Sequence, residues 1–367
     1  MNPQRYDYPS RRRVVYGTHG MVCASQPLAA QAGLDILKKG GNAVDAAIAT
    51  AITLTVTEPT SNGLGSDTFA LVWMKDQLYG LNGSGWSPKG ISLDAVRAQG
   101  HTTMPERGWT PVNIPGAPSA WYTLSRRFGA LPFSELFATA IDCARSGYPV
   151  SPTIARLWQN QFRQFSSVLK GESFRPWFDT FAQNGRTPAP GERWSCPDMA
   201  DTLEELAATN CESFYRGALA RKIDDFSRAC GGYLRAEDLA EYEAIWVDPI
   251  SARYKGYDVW ELPPNGHGLV VLMTLNMLRN DHFTHHDDIE TLHRQLEAMK
   301  LAFADGQKYI TDPACMRRSV EQFLNPSYAD ARRALITDRA QPPIAGDPAC
   351  GGTVYLCTAD GEGNMVS

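Results

Sequence analysis

The first clear pattern in the chain is an apolar residue at nearly every third or fourth position between Pro27 and Lys39, which is the spacing of one helix face. Gly40–Gly41 follows, and glycine commonly ends helices. Asn42 can then cap a second helix that continues to about Leu54. This second segment is rich in Ala and apolar nearly all round, so we expect it to be buried. Pro59 should end it.

Four short segments rich in β-branched and aromatic residues predict two hairpins. The first hairpin joins Thr68–Trp73 to Gln77–Leu81, and the second joins Ile250–Tyr254 to Gly256–Leu262. Residues 14–16 also read as a strand, preceded by a polar, Arg-rich arm. Helical segments and strands therefore both occur, in keeping with the one large α/β unit that the length allows.

The rest of the chain is dominated by helix patterns and one irregular stretch. Residues 166–200, rich in aromatic residues, Gly and Pro, predict a long irregular insertion. Helical spacing recurs within 111–165 and in Asp201–Ala208, Ala218–Ser227, Ala236–Tyr242, Val270–Leu278 and Asp288–Tyr309. A last strand is expected from Thr353 to about Ala359, with a return strand starting at Met365. The chain stops within this hairpin and would leave a sheet edge unpaired, so we expect the polypeptide to be incomplete.

Composition excludes several classes of protein. The chain has 367 residues, 43% hydrophobic and 20% charged, which is typical of a globular protein with two or three domains or with one large α/β unit. The net charge of −5 and the lack of long basic runs argue against nucleic acid as a partner. The longest apolar stretch, 46–56, is about half of the roughly 20 residues that a membrane-spanning helix needs. No membrane partner is expected.

The cysteines and the N-terminal sequence indicate the compartment. Residues 1–8 lack the apolar core of a secretory signal, so we expect a cytoplasmic protein. The eight cysteines are widely spread without a Cys-x-x-Cys pair, which favours free, buried thiols over disulfides.

The sharpest candidate for chemistry is the junction at which Gly352 precedes Thr353 and a strand begins. Once the bond before it is cut, a threonine can serve as nucleophile through its hydroxyl and as base through its own α-amine, whose ordinary pKa is about 7.7–8.0. Glycine permits the strained backbone in which the hydroxyl can reach the carbonyl of Gly352. On spacing alone, an ordinary loop entering an ordinary strand explains the same residues.

Three other signals each have a simpler structural explanation. Gly63-Leu-Gly65 resembles part of a dinucleotide loop but follows a helix and lacks the third glycine. The group His282, His285, His286, Asp287 and Asp288 could bind a metal, but it has no zinc-site spacing and suits a solvated turn. Cys350 and Cys357 flank the junction, and Cys357 would share a strand face with Thr353, where it could be oxidised or buried as a small apolar residue. We expect no metal and no cofactor.

Three long motifs give the sequence a family resemblance. Gly40-Gly-Asn-Ala-Val-Asp-Ala-Ala47, Thr57-Glu-Pro-Thr-Ser-Asn-Gly-Leu-Gly-Ser66 and Gly352-Thr-Val-Tyr-Leu-Cys-Thr-Ala-Asp-Gly-Glu-Gly-Asn364 occur in that order. Together they resemble the γ-glutamyltranspeptidase family. Shorter matches extend the resemblance over most of the chain, for example Pro115-Gly-Ala-Pro-Ser-Ala-Trp121 and Ala302-Phe-Ala-Asp305.

The resemblance implies an N-terminal-nucleophile hydrolase with an αββα sandwich, made as a precursor that cleaves itself. Thr353 matches the family nucleophile, so residues 1–352 would be the large-subunit segment and 353–367 the start of a truncated small subunit. The mature enzyme would be a heterodimer with its own small subunit, and a dimer of heterodimers is one further assembly. The mechanism implied is acyl transfer through an acyl-enzyme to water or an amine, on a small-molecule amide. The family's oxyanion donors are a glycine pair beyond Ser367.

One departure from the family pattern concerns the substrate. Family members that act on γ-glutamyl compounds have an arginine that grips the substrate α-carboxylate after the strand that Leu81 represents, whereas the alignment puts Ser84 at that position. The positive charge is then missing unless Lys89 or another side chain replaces it. Trp86 would suit a flatter or less polar acyl group. Together with Val-Tyr after Thr353, this resembles the acylase-like branch, which includes cephalosporin acylases.

Three classes of function therefore stay open at this stage. The resemblance favours an autoprocessing amide hydrolase or acyltransferase with γ-glutamyl, glutaryl or cephalosporin-type substrates. A relative that has lost catalysis and serves as a binding or scaffold protein is the alternative suggested by the missing arginine. A nucleotide- or metal-dependent enzyme is the third.

Overall fold

The computed structural model describes residues 14–285, 287–341, 356–361 and 363–366. Within these residues the helices are α1 Pro27–Lys38, α2 Ala43–Thr57, α3 Leu93–Ala98, α4 Ala117–Phe128, α5 Ala138–Ser146, α6 Pro152–Val168, α7 Arg175–Phe181, α8 Pro197–Ala208, α9 Glu212–Arg216, α10 Ala218–Ala229, α11 Ala236–Glu241, α12 Gly268–Met277, α13 Ile289–Tyr309, α14 Val320–Phe323 and α15 Pro326–Arg333. The strands are β1 Gly20–Ala24, β2 Thr68–Met74, β3 Gln77–Gly83, β4 Tyr148–Pro149, β5 Arg193–Trp194, β6 Ile245–Val247, β7 Ile250–Tyr254, β8 Tyr257–Glu261, β9 Leu356–Asp360 and β10 Met365–Val366.

The chain divides into two compact units. The first contains the described residues of Met1–Gly63, Trp121–Ser213 and Val354–Ser367, and the second contains those of Leu64–Ala120 and Phe214–Thr353. Both units are therefore assembled from stretches that are distant in sequence.

The first unit is built around α2. All of its residues except Ala51 are buried, as the apolar composition predicted. Its buried threonine hydroxyls donate to carbonyls of the preceding turn, for example from Thr50 to Ala46 at 2.7 Å, so they bring no unpaired donor into the core. The helix begins at the predicted cap, Asn42, and runs three residues beyond the predicted end.

Strand pairing in the first unit joins the two ends of the described chain. β9 pairs antiparallel with β1, with Gly20 opposite Asp360 and Ala24 opposite Leu356. β10 pairs with the other edge of β9 and places Met365 opposite Ala359. The predicted return strand is confirmed. The strand expected at residues 14–16 is wrong, because that segment is exposed coil and the strand begins at Gly20.

The irregular insertion predicted for residues 166–200 is also wrong in large part. α7 and the start of α8 lie within it. Two aromatic residues of this segment instead pack together, since Phe181 stacks on Trp194 at 6.2 Å between ring centroids, and Trp194 also lies 5.0 Å from Trp158 of α6. Burial of aromatic area, together with edge-to-face contacts, stabilises these short helices.

The second unit contains both predicted hairpins. β2 pairs with β3 from Thr68–Gly83 to Met74–Gln77, and β3 pairs on its other side with β6. β7 pairs with β8 as expected. One hydrophobic cluster of this unit is formed by α12 and α13 together with α14 and α15, and its buried residues are Leu269, Val270, Met273, Met277, Leu278, Ala298, Ala302, Phe323 and Ala329.

Candidate functional site

The predicted nucleophile, Thr353, and its neighbour Gly352 lie outside the described residues, as does Cys350. The roles assigned to them from the sequence stay predictions. The described chain resumes at Leu356 in β9, three residues after Thr353.

The turn that closes the β9–β10 hairpin explains part of the last sequence motif. The carboxylate of Asp360 accepts hydrogen bonds from the backbone N–H of Asn364 at 2.9 Å and from its side-chain amide at 2.8 Å. It also accepts one from the backbone N–H of Ala43 at 3.2 Å, at the first turn of α2. A carboxylate at a helix N-terminus is favourable electrostatically. Asp360 therefore ties the strand that follows Thr353 to α2.

Ser84 lies directly after β3, in a turn held by a group of neutral side chains. Its backbone N–H donates to Oδ1 of Asn82 at 2.9 Å. The side-chain amide of Asn82 donates to Oδ1 of Asn265 at 2.9 Å, and the amide of Asn265 donates to Oγ of Ser84 at 3.1 Å. Asn82 is 8% exposed, while Ser84 and Asn265 are half-buried. We call these three residues the Asn82–Ser84–Asn265 cluster.

Glycines allow the backbone to pass very close to this turn. A Cβ on Gly85, which has φ of +76°, would lie 1.8 Å from the carbonyl oxygen of Ile114. A Cβ on Gly116 would lie 1.8 Å from the carbonyl oxygen of Gly83. No larger residue fits either position without a backbone shift, so packing as well as hydrogen bonding fixes the turn.

Trp86 lies on the outer side of the same turn and is 41% exposed. Its ring contacts Tyr242 edge to face, with 4.9 Å between centroids, and its carbonyl accepts a hydrogen bond from Ile114 at 3.0 Å. The indole is therefore oriented on one side and open to solvent on the other. Such a surface can contact an apolar or planar ligand.

Tyr242 packs against the turn and binds its backbone. Its hydroxyl accepts a hydrogen bond from the backbone N–H of Gly85 at 3.2 Å, and its ring stacks on Tyr215 at 5.8 Å. The side chain is 2% exposed, and burial raises the pKa of Tyr242 to about 12. The phenol therefore stays neutral at any physiological pH.

Lys89 does not supply a charge to Ser84. Its ammonium group pairs with Glu241, and its backbone N–H donates to Asp238 at 3.1 Å. In the hydrogen bonds that the structure records for the Asn82–Ser84–Asn265 cluster, every partner is neutral.

Asn265 and Tyr242 were missed by sequence reasoning. Asn265 lies in the Pro263-Pro-Asn-Gly-His-Gly268 segment after β8, 181 residues from Ser84. No periodicity or spacing connects two residues so far apart, and the only signal was the run of Pro and Gly that marks a fixed turn.

The comparisons with known proteins concern the chain as a whole. A statistical model of the family described as γ-glutamyltranspeptidase matches residues 29–367. The chain belongs to the γ-glutamyltranspeptidase family. Within the family it is 34% identical over 364 residues to a glutathione hydrolase-like proenzyme of Bacillus subtilis, YwrD, a match that covers 96% of this chain and 66% of that protein. The chain thus spans a little under two thirds of the length of this relative.

Two solved structures resemble the chain over most of its length. Cephalosporin acylase from Bacillus halodurans is 55% identical with a TM-score of 0.93, and the match covers 100% of this chain and 68% of that one. γ-Glutamyltranspeptidase from Helicobacter pylori is 25% identical with a TM-score of 0.81, over 92% of this chain and 96% of that one. The predicted fold class, the αββα N-terminal-nucleophile hydrolase fold, is confirmed.

The structure also describes most residues of the candidate metal site between His282 and Asp288. Asp288 caps α13 by accepting from the backbone N–H of Thr291 at 2.6 Å, and His282, His285 and Asp287 are exposed. Among the described residues, which do not include His286, no group of three or more His, Cys, Asp or Glu side chains could hold a metal ion.

Two further predictions from the sequence concern the cysteines and membrane-spanning helices. Six described cysteines are free thiols, as predicted, although Cys23 and Cys315 are exposed rather than buried. In the part of the chain that the structure describes, no helix combines the length and apolar character needed to cross a bilayer.

Proposed function

We propose that this protein is an autoprocessing amide hydrolase or acyltransferase whose nucleophile is Thr353. The observation that carries the proposal is the unbroken family match from residue 29 to residue 367, which runs through the Gly352–Thr353 junction. The name of the B. subtilis relative describes a proenzyme, in agreement with maturation by cleavage.

Maturation would divide the precursor between Gly352 and Thr353. The hydroxyl of Thr353 attacks the carbonyl carbon of Gly352, the C–N bond breaks, and the proton moves to the new α-amine. Water then hydrolyses the resulting ester and frees the hydroxyl. Residues 1–352 become the large-subunit segment and 353–367 begin the small subunit.

Catalysis would then use both groups of the new N-terminal residue. The α-amine of Thr353 accepts the hydroxyl proton while Oγ attacks the amide carbonyl of the substrate. The amine leaving group departs with that proton, and water or an acceptor amine releases the acyl group from the ester. The reaction needs no cofactor. The resemblance assigns the oxyanion donors to a glycine pair beyond Ser367.

The substrate would be a small amide of the acylase type rather than a γ-glutamyl compound. Ser84 stands where the resemblance expects an arginine, its cluster is neutral, and the ammonium group of Lys89 pairs with Glu241. A guanidinium binds a carboxylate far better than neutral donors do. Trp86 offers its open face to an apolar acyl chain. Cephalosporin-type acyl groups are the first candidates; glutaryl, which has a carboxylate at the same position as γ-glutamyl but no ammonium group, comes next, with γ-glutamyl amides as the alternative.

Cleavage is tested with the complete protein on a denaturing gel. Wild type should give two fragments, and sequencing of the smaller should begin at Thr353. Thr353→Ala should stay whole, while Thr353→Ser should still split because it keeps a hydroxyl. A Thr353→Ala protein that splits at the same bond refutes the proposal.

The substrate class is tested by comparing γ-glutamyl, glutaryl and adipyl p-nitroanilides at equal concentration. We expect kcat/KM for the glutaryl or adipyl amide to exceed that for the γ-glutamyl amide. If the γ-glutamyl anilide is preferred by a wide margin, the argument from Ser84 is wrong.

A second candidate is a relative that folds and cleaves itself but lacks catalysis and acts as a binding or scaffold protein. The absence of a cation in the Ser84 cluster favours it. Time-dependent labelling of Thr353 by an electrophilic glutamine analogue or a β-lactam would exclude it, and a processed protein that is never labelled would support it.

The assembly and location belong to the same proposal. The two fragments should remain together as a heterodimer, with or without a further dimer of heterodimers, in the cytoplasm. Size-exclusion chromatography with light scattering measures the assembly, and fractionation of expressing cells measures the location.

A further inference from the structure

Two cysteines take directly opposite positions in the strand pair β1–β9 of the first unit. The antiparallel register places Cys23 of β1 opposite Cys357 of β9. Directly opposite residues of such a pair lie on one face of the sheet, with their Cα atoms about 4.5–5.5 Å apart. The Cα atoms of two cysteines joined by a disulfide are usually about 4.4–6.8 Å apart. The backbone therefore brings these two positions within the range of a disulfide bond.

Close backbone contact and hydrogen bonding fix this register. Gly20 lies opposite Asp360, and a Cβ on Gly20 would lie 2.5 Å from the carbonyl oxygen of Ala359, so only glycine permits the approach. The carboxylate of Asp360 in turn accepts a hydrogen bond from the backbone N–H of Ala43 at 3.2 Å. A slip of one residue would break these contacts and move every residue of the strand to the other face. The pairing of the two cysteine positions is thus part of the fold.

Cys23 is the member of the pair that a dissolved oxidant can reach. Exposed and half-buried residues alternate along β1, and Cys23 is exposed together with Met21. Cys143 and Cys211, by contrast, are buried, and burial raises the pKa of the Cys211 thiol. Because oxidation needs both access and a thiolate, it should begin at Cys23 rather than at the buried thiols.

The two cysteines lie on opposite sides of the proposed maturation cut. Cleavage between Gly352 and Thr353 leaves Cys23 in the large-subunit segment and Cys357 in the small subunit, four residues after the nucleophile. A bond between the two cysteines would therefore join the subunits covalently. It would also hold the strand that follows Thr353 on β1.

We propose that Cys23 and Cys357 form a reversible disulfide that links the two subunits when a peroxide is present. The disulfide rests on the register alone, whereas its role as a link between subunits rests on the proposed function. A disulfide between exposed neighbouring strands remains open to thiol exchange, so a dithiol reductant should release it.

The chemistry needs one molecule of hydrogen peroxide for each bond. The thiolate of Cys23 attacks one peroxide oxygen, the O–O bond breaks, and the departing hydroxide takes up the Cys23 proton as water. The sulfur of Cys357 then attacks the sulfenic acid on Cys23, the S–S bond forms, and the S–O bond breaks. The second oxygen leaves as water with the proton of Cys357. Two thiols are oxidised and the peroxide is reduced to two molecules of water.

The test compares the complete protein before and after treatment with hydrogen peroxide, with the remaining thiols blocked by N-ethylmaleimide. On a denaturing gel without reductant, treated wild type should run as one band at the summed mass of the two fragments. Dithiothreitol should divide this band into two. Peptide mapping without reductant should find residues 23 and 357 in one linked pair of peptides, at least tenfold more abundant than in untreated protein.

Four variants identify the cysteines responsible. Cys23→Ser and Cys357→Ser should each abolish the linked band. Cys315→Ser is the matched control, because it removes a second exposed thiol and should keep the link. Cys350→Ser should also keep it, although Cys350 is the large-subunit cysteine nearest to Cys357 in sequence. Self-cleavage of each variant reports that it folds.

The outcomes separate this inference from the proposed function. A linked band that persists in Cys23→Ser, or peptide maps in which residues 23 and 357 both carry N-ethylmaleimide after peroxide treatment, would refute the disulfide and leave the proposed cleavage standing. If wild type never divides at the Gly352–Thr353 bond, the proposed function fails. Peptide mapping of the undivided chain then still decides whether the disulfide forms.

Discussion

Two asparagines stabilise different parts of the molecule, and their hydrogen-bond partners lie at different distances along the chain. At the start of α2, the side-chain oxygen of Asn42 accepts hydrogen bonds from the backbone N–H groups of Val44 and Asp45. The carboxylate of Asp45 in turn accepts a hydrogen bond from the backbone N–H of Asn42 at 3.0 Å. After β3, Asn82 bonds Ser84 two residues away and Asn265 183 residues away. The helix start therefore combines a capping box that is local in sequence with a bond from the Asn42 amide to the Phe128 carbonyl at 2.6 Å, whereas the hydrogen-bonded ring at Ser84 closes only through the distant Asn265.

This difference predicts that changes at the helix start affect stability alone, while changes at the Ser84 turn affect both stability and substrate binding. Each of the following variants tests that separation.

The largest effect is expected from Gly85→Ala. The new Cβ would meet the Ile114 carbonyl oxygen at 1.8 Å in a residue with positive φ, so we expect unfolding to become easier by about 3 kcal/mol or more. Gly100→Ala is the matched control, because Gly100 has φ of +85° but open space around its Cβ position, and about 1–2 kcal/mol is expected. Equal losses in denaturant unfolding would show that the close contact is unimportant.

Tyr242→Phe should have the next largest effect. It leaves the Gly85 N–H without its acceptor in a half-buried position, which costs about 1–3 kcal/mol. KM for the preferred amide should rise as well, since the Trp86 turn loses support. Tyr257→Phe removes an exposed hydroxyl and should change stability by less than about 0.5 kcal/mol. A Tyr242→Phe protein with wild-type stability and KM would refute the supporting role.

Trp86→Ala tests the open face of the indole. Loss of apolar contact with the acyl chain should raise KM roughly tenfold, equivalent to about 1.4 kcal/mol. Trp73→Ala is a matched control, because Trp73 is 42% exposed in the same unit. If both variants shift KM alike in steady-state assays, Trp86 has no specific contact with substrate.

Asn42→Ala tests the cap at the start of α2. Loss of the cap should cost about 1–2 kcal/mol, with KM unchanged in the fraction that folds. Ser92→Ala removes the cap of the short, mostly exposed α3 and should cost less. A change in KM for Asn42→Ala would contradict the separation between the two regions.

The last effect is absent near neutral pH and concerns the titration of the buried Tyr242. Because the pKa of Tyr242 is raised to about 12 by burial, above the ordinary value of about 10, the folded protein holds a proton that the unfolded chain loses between these values. This contribution to stability is complete below pH 10 and falls as the pH rises toward 12. In urea unfolding at pH 9 to 11.5, Tyr242→Phe should lose stability less steeply than wild type, and parallel curves would exclude the effect.

The distance along the chain between bonded residues also explains what could be predicted from the sequence. α1, α2, α13 and both hairpins follow from periodicity, Gly and Pro positions, and a capping Asn. β1 and β6 were missed because strands of five and three residues are defined by partners, β9 and β3, that lie far away in sequence.

At the candidate site, the alignment brought attention to Ser84 and Trp86, but local pattern could not identify what holds them. Asn265 and Tyr242 reach the turn from segments 181 and 157 residues away. Side chains that act only through such contacts carry no local signal, which is why the helix α2 was predictable and the support of Ser84 was not.

The central claim is that Thr353, freed by cleavage, carries the acyl group. The most direct measurement is to mix the mature protein with a slowly hydrolysed acyl amide, quench it in acid, and locate the added mass by peptide sequencing in a mass spectrometer. We predict one acyl group in ester linkage on the Thr353 hydroxyl of a peptide that begins with this residue. Active protein in which the Gly352–Thr353 bond is intact, or in which the acyl group is found on another residue, would contradict the account.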